Sequence, residues 1–219
     1  VKRLFSYERA NGKRILFEEP NVLFVDQFYP KVFDFEWLAG NPSTGLQELN
    51  AVIITEKIAL KCFGENYVPS EAIGEILMLS GKDQIVVKGI IKNPRSNVNL
   101  KANMMVSFDF FRKHNQYQTG NWSGNYQGTT FVVLKDEHQK SNTVAKINEW
   151  KGKYLNDDDD KIISYSLQEL REVHTETKYG TTPGGYLIPK NTLNTSLADA
   201  GNILYIAIIN IINLVTANA

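Results

Sequence analysis

The residue types most apt for chemistry in this chain are three histidines, one cysteine and a run of four aspartates. His114, His138 and His174 lie far apart, and none has another His, Cys or carboxylate at the short spacing of a helix-borne metal site. Each therefore reads as a surface histidine. Cys62 is alone, which excludes an internal disulfide and a cysteine zinc site but leaves the compartment open. Asp157, Asp158, Asp159 and Asp160 offer the hard oxygens that Ca²⁺ prefers, without the spaced ligands and mid-loop glycine of a calcium loop. They read as a solvated run beyond a helix that ends by Leu155, because acids are unfavourable at a helix C-terminus. The chain has no GxxxxGK[ST] phosphate loop, no GxGxxG behind a strand and no GxSxG elbow, so neither nucleotide binding nor a serine hydrolase has support. No catalytic residue, metal or cofactor is expected. What remains is the loop Gly120 to Gly128, where Trp122 and Tyr126 supply apolar area with a polar handle: either an interaction surface or two plugs at the edge of a core.

Composition bounds the rest. With 219 residues, 42% hydrophobic and 22% charged, the chain has material for one large core or two small ones. Its 24 basic and 24 acidic residues cancel, so no long-range field gathers polyanions and nucleic acid is not an expected partner. Val1 to Glu8 runs straight into strand-like sequence with no leader-peptide pattern, so the numbering reads as that of a cut-out domain. At the other end, Ile203 to Val215 is strongly apolar yet shorter than the roughly 20 residues that cross a bilayer. By pattern alone it is either a membrane helix cut short or a helix packed on the domain's own core, with Asn210 and Asn213 on its wet face.

These residues must be positioned by alternating strands and helices. Asn11-Gly12 supplies a tight turn between Tyr7 and Asp26, with Arg14 to Phe17 and Val22 to Val25 as strands of a hairpin. Phe28 to Leu38 reads as a short aromatic helix or turn capping a sheet, broken at Gly40-Asn41-Pro42. Ala51 to Ile54 is a buried strand, Thr55 the N-cap of a helix through Phe63, and Gly64 its end. Ile76 to Leu79 and Ile85 to Ile91 form a second hairpin. Met104 to Phe110 and Thr129 to Leu134 read as strands, Ser141 or Asn142 caps a helix through Val144, Ile147, Trp150, Tyr154 and Leu155, and Ile162 to Leu167 is the last strand. The class is α+β, or mixed α/β.

In order along the chain, several segments resemble the MacB-like periplasmic core domain that precedes FtsX-like permease helices, in its Bacteroidetes-type version. Phe24 to Phe35 is similar to that family's "vDpdFFkvFdF" and Leu38 to Pro42 to its "l-x-G-(D/N)-P". Asn50 to Glu56 with Ala59 and Phe63-Gly64 resembles "nsvviTe-x-x-A-x-k-x-FG"; Ala72-Ile73-Gly74 corresponds to "pIGk", with Glu75 in place of the usual lysine. Val87 to Pro94 resembles "v-x-G-V-i-x-d-x-P", Trp122 to Leu134 the "W…y-tyvlLk" region, and Ala207 to Ala217 "A-c-i-N-f-i-N-L-s-T-A", the start of a membrane helix. Isoleucine stands where the family often has cysteine and phenylalanine. The family's N-terminal membrane helix and first strand and helix have no counterpart here, so the chain reads as lacking its N-terminal part.

The resemblance implies a two-lobed domain over residues 1–202, with a porter lobe of βαβ units and an inserted mixed sabre lobe at roughly residues 65–130. A transmembrane helix then starts over residues 203–219, on which Asn210, Asn213 and Thr216 face other helices and not lipid. It implies an ABC-transporter permease in the bacterial inner membrane, this domain being on the periplasmic side and ATP being hydrolysed by a separate ATP-binding subunit. The implied partners are a second permease copy in the membrane and a periplasmic adaptor or a lipoprotein, peptide, antibiotic or lipid substrate. The alternatives are a free-standing periplasmic binding domain and an FtsX-like regulator of a cell-wall hydrolase. The isolated domain is expected to be a monomer.

Overall fold

The computed structural model describes residues 3–95, 101–115, 128–155, 163–173, 175–178 and 187–217. In chain order its strands are β1 (Arg3–Glu8), β2 (Arg14–Glu19), β3 (Val22–Val25), β4 (Trp37–Gly40), β5 (Ala51–Thr55), β6 (Ile76–Leu79), β7 (Asp83–Ile91) and β8 (Met104–Ser107). Its helices are α1 (Tyr29–Val32), α2 (Glu56–Phe63), α3 (Phe108–His114), α4 (Gln139–Lys151) and α5 (Lys190–Ala217), with a 3₁₀ turn at Leu170–Glu172. The fold is α+β. Two compact units divide it, Val1–Tyr165 and Ser166–Ala219.

In the first unit the strands run β2-β1-β6-β7-β5-β8-β3, and β4 pairs with the far half of β7. Residues 76–107 therefore share this sheet with the strands before them. β7 and β8 each pair with β5, in parallel and antiparallel fashion. That central position explains why all five residues of β5 are buried: a strand covered on both faces reads as one apolar run. Side chains alternate between faces. Val52 and Ile54 join Phe5, Phe17, Leu77, Ile85, Val87 and Met104 under Ile58, Ala59 and Cys62 of α2. Ala51 and Ile53 join Val25, Ile91 and Met105 under Tyr29, Phe35, Trp37 and Leu46.

Although β2 and β3 stand at opposite ends of the strand order, only Pro20 and Asn21 separate them. The sheet therefore curls until its two ends meet. Proline removes a ladder donor at the corner. The buried Glu19 carboxylate accepts from Asn21 N and from Asn103 Nδ2, both at 2.9 Å, tying the end of β2 to the entry of β8. Across the same seam the Arg3 guanidinium lies 4.6 Å over the Phe24 ring.

The Asn11-Gly12 turn joins β1 to β2, with Glu8 opposite Arg14, and not Arg14–Phe17 to Val22–Val25. β3 instead runs parallel to β8. Alternation marks a strand but does not choose its neighbour. Trp37–Gly40, read as the end of a cap, is a strand on β7. The strand at Met104 stops at Ser107, where Val25 and Val52 are the last partners on its two sides, and the aromatic residues after it form α3. Helix α4 begins at Gln139, before Ser141 or Asn142, because Asp136 Oδ1 accepts from Gln139 N at 3.1 Å. Thr129–Leu134 is not a strand: Phe131 packs on Tyr29 and Phe33, and no ladder receives the segment. Residues 163–167 likewise form no strand, and Ile162 lies outside the described residues. The Asn148 amide takes both backbone groups of Tyr165, at 2.8 and 2.9 Å, where a ladder partner would otherwise bind. β-propensity reports fit to a pleated surface, and these two stretches meet side chains instead.

Candidate functional site

Motifs far apart in sequence converge at two places on the sheet. Gly40 pairs with Gly89, and a Cβ on Gly40 would stand 2.4 Å from the Lys88 carbonyl oxygen; with φ at +91° the position suits glycine alone. A Cβ on Gly89 would stand 2.4 Å from Trp37 Cζ3, so the indole can pack this close to the strand only because that side chain is missing. At this point β7 carries a bulge, since Val52 opposes Val87 while Ile53 opposes Gly89. Lys88, the extra residue, bonds Glu48 at 2.7 Å.

The second convergence caps α2. Thr55 occupies the N-cap position, yet its hydroxyl is buried with no partner and makes no capping bond. The cap comes from Asn93, whose Oδ1 accepts from Lys57 N at 2.9 Å while its Nδ2 reaches Glu56 Oε2 at 3.4 Å. At the other end, Arg9 Nε donates to the Cys62 carbonyl at 2.7 Å, and Gly64 at φ +98° lets the chain leave. Glu75, where the resemblance expects lysine, accepts from the Tyr7 hydroxyl at 2.8 Å. Burial first, and then that bond, push the Tyr7 phenol up to about 12.

Groups with chemical potential are occupied structurally. Burial pushes the Cys62 thiol up to about 12, which leaves no thiolate nucleophile at neutral pH. His114 lies between the Phe110 carbonyl (Nδ1, 2.9 Å) and Asp83 (Nε2, 3.2 Å), fastening α3 to the β6–β7 hairpin. His138 precedes α4 at its N-cap, and His174 lies outside the described residues. Among the described residues no group of three His, Cys, Asp or Glu could hold a metal. An open groove of about 610 Å³, not foreseen from sequence, is lined by Ser6, Glu8, Arg14, Glu75, Ile76 and Met78 among others. Only register could reveal it, because its residues come from three strands. Trp122, Tyr126 and Asp157–Asp160 lie outside the described residues.

The feature most unlike an ordinary domain is α5. It starts directly after Pro189, a residue suited to a helix start, and continues for 28 residues with no buried side chain. The helix thus extends back beyond the apolar stretch at Ile203 to Lys190, and by length and composition it is long and apolar enough to cross a membrane. Ile203 is 69% exposed, Ile211 62% and Val215 64%. Asn210, Asn213 and Thr216 all lie on the surface of α5; Thr216 Oγ1 donates back to the Ile212 carbonyl at 2.8 Å, so that hydroxyl is satisfied within the helix.

Comparison with known proteins adds the family. The profile of the MacB-like periplasmic core domain matches residues 2–150, more than half of the chain. Among curated proteins there is no match. Similar solved structures include a domain of a proposed permease protein from Porphyromonas gingivalis, with TM-score 0.47, 16% identity, and 71% of this chain aligned to 64% of that one. The extracellular domain of the ABC-type transporter YknZ from Gram-positive bacteria gives TM-score 0.40 and 18% identity over 69% of this chain and 72% of that one. The periplasmic region of MacB from Actinobacillus actinomycetemcomitans gives 0.44 and 12%, over 74% and 71%.

Proposed function

The chain belongs to the MacB-like periplasmic core domain family, and we propose that it serves as the extracytoplasmic domain of an ABC-transporter permease whose work is conformational. The observation that carries the reading is α5: after a family domain comes an unbroken helix with every apolar side chain turned outward. Water is a poor solvent for such a surface and lipid a good one. In this reading the membrane-embedded part begins near Ile203, and a rigid helix passes movement between bilayer and domain. ATP is hydrolysed on a separate ATP-binding subunit, and a shift in the domain changes its affinity for a substrate or partner. The permease acts as a pair of copies in the bacterial inner membrane.

The handled molecule belongs to the lipoprotein, peptide, antibiotic or lipid classes, and the loop carrying Trp122 and Tyr126 is our candidate for its contact, or for an adaptor's. A permease reconstituted with its ATPase subunit, carrying a spin-label pair on the domain and at the membrane surface, should change its distance distribution between nucleotide-free and ATP-trapped states. Identical distributions in both states would sink the coupling.

A further inference from the structure

The ladder between β1 and β6 stops where Ser6 faces Met78, yet both strands run on: β1 stays on β2 through Tyr7 and Glu8, and β6 stays on β7 through Leu77 and Ile76. The groove is lined from both sides of the gap that opens there. Two strand edges that have parted from each other form a slot suited to an extended chain. Its axis follows the strands, and Glu75 lies three residues, roughly 10 Å, along β6 from Met78. The two ends differ in chemistry. At the closed end Ser6 is 4% exposed, and its hydroxyl accepts from Arg14 Nη2 at 3.3 Å. Arg14 faces Glu8 in register but reaches to Ser6, so its other N–H groups and the serine's own proton are donors for an acid group at that end. At the open end Glu75 Oε2 accepts from the Tyr7 hydroxyl at 2.8 Å, which leaves Oε1 to accept again, and Glu8 adds a second carboxylate. Between the ends, Ile76, 46% exposed, and Met78 supply an apolar wall.

We propose that this groove binds a short linear peptide with free ends, its carboxylate on Arg14 and Ser6, its ammonium on Glu75 and Glu8, and an apolar side chain against Ile76 and Met78. Three extended residues cover about 10 Å, which is the separation of the two ends. A single amino acid or a phosphoethanolamine headgroup carries the same pair of charges over less length and does not reach both. With two acids and one base in the lining, the groove favours neither a simple anion nor a polyanion. The site uses strands of the first unit alone, so it stands whether or not the chain serves a permease.

The test is calorimetric titration of the whole chain, held in dodecyl maltoside micelles, with the tripeptide Ala-Leu-Ala. Its N-acetylated and C-amidated forms each lack one charge and should bind about tenfold more weakly. Arg14→Gln should erase the preference for the free acid over the amide while keeping that for the free amine over the acetylated form. Glu8→Gln with Glu75→Gln should do the reverse. The comparison of the three peptides on the parent chain does not depend on whether any variant folds. No saturable binding at millimolar peptide, or blocked peptides that bind as tightly as the free one, overturns the site. Phosphoethanolamine binding as tightly as Ala-Leu-Ala overturns the peptide and gives the groove to a headgroup.

Discussion

β5 and the later half of α5 are both rich in isoleucine and differ in burial. In Ala51-Val52-Ile53-Ile54 each side chain is enclosed, because β7 and β8 flank the strand and apolar layers cover both faces. In Ile208-Ile209-Asn210-Ile211-Ile212 none is enclosed. Isoleucine content alone therefore says nothing about which solvent a segment has. The neighbours decide.

The sharpest test of that contrast substitutes one isoleucine in each region. Ile53→Ala should cost about 2–5 kcal/mol in urea unfolding followed by circular dichroism. Ile208→Ala should leave the transition within about 0.5 kcal/mol while reducing vesicle flotation. Equal effects on unfolding would abolish the distinction. Glycine sharpens it next: Gly89→Ala drives a methyl into Trp37 and should lower stability by about 1–3 kcal/mol. Gly201→Ala, with open space around the new carbon, should raise helicity and gain up to about 1 kcal/mol.

A smaller effect separates the two candidate caps of α2. Asn93→Ala should cost about 1 kcal/mol, whereas Thr55→Val, which removes a hydroxyl that bonds nothing, should be nearly neutral or stabilising. Alkali gives the least effect near neutrality. Cys62, Tyr7 and Tyr29 all have folded values pushed up to about 12, from 9.0 for the thiol and 10.0 for the phenols, chiefly by burial. The folded chain holds these protons more tightly than the unfolded one. Their contribution is complete below about pH 9 and is lost as pH rises toward 12. Urea midpoints should be flat from pH 7 to 8.5 and fall by pH 11, and native Cys62 should resist thiol labelling at pH 8.

Much of this was legible in the order of residues. Ala51-Val52-Ile53-Ile54 before Thr55 announced a buried strand entering a helix, Gly64 its end, and the run from Ser80 to Asp83 a hairpin, because these are local signals of burial, capping and turn geometry. The apolar run of α5 was legible too, whereas pattern alone left its setting open between a membrane helix and a core helix, and the family resemblance supplied the membrane reading. The strands expected at Thr129–Leu134 and Ile162–Leu167 failed for one reason. A strand is completed by a partner from elsewhere, and Phe131 found an aromatic cluster while Tyr165 found the amide of Asn148.

Local chemistry by itself thus determined the strand-to-helix step from Ala51 to Phe63, the hairpin around Ser80 to Asp83 and the turns that need glycine, since each depends on a few adjacent residues. Only the tertiary structure decided that β3 lies beside β8, that Asn93 caps α2 in place of Thr55, and that Gly40 and Gly89 face each other beneath Trp37. Those are meetings between segments dozens of residues apart, and they follow from the register in which β5 is covered on both faces, which no local run of residues specifies.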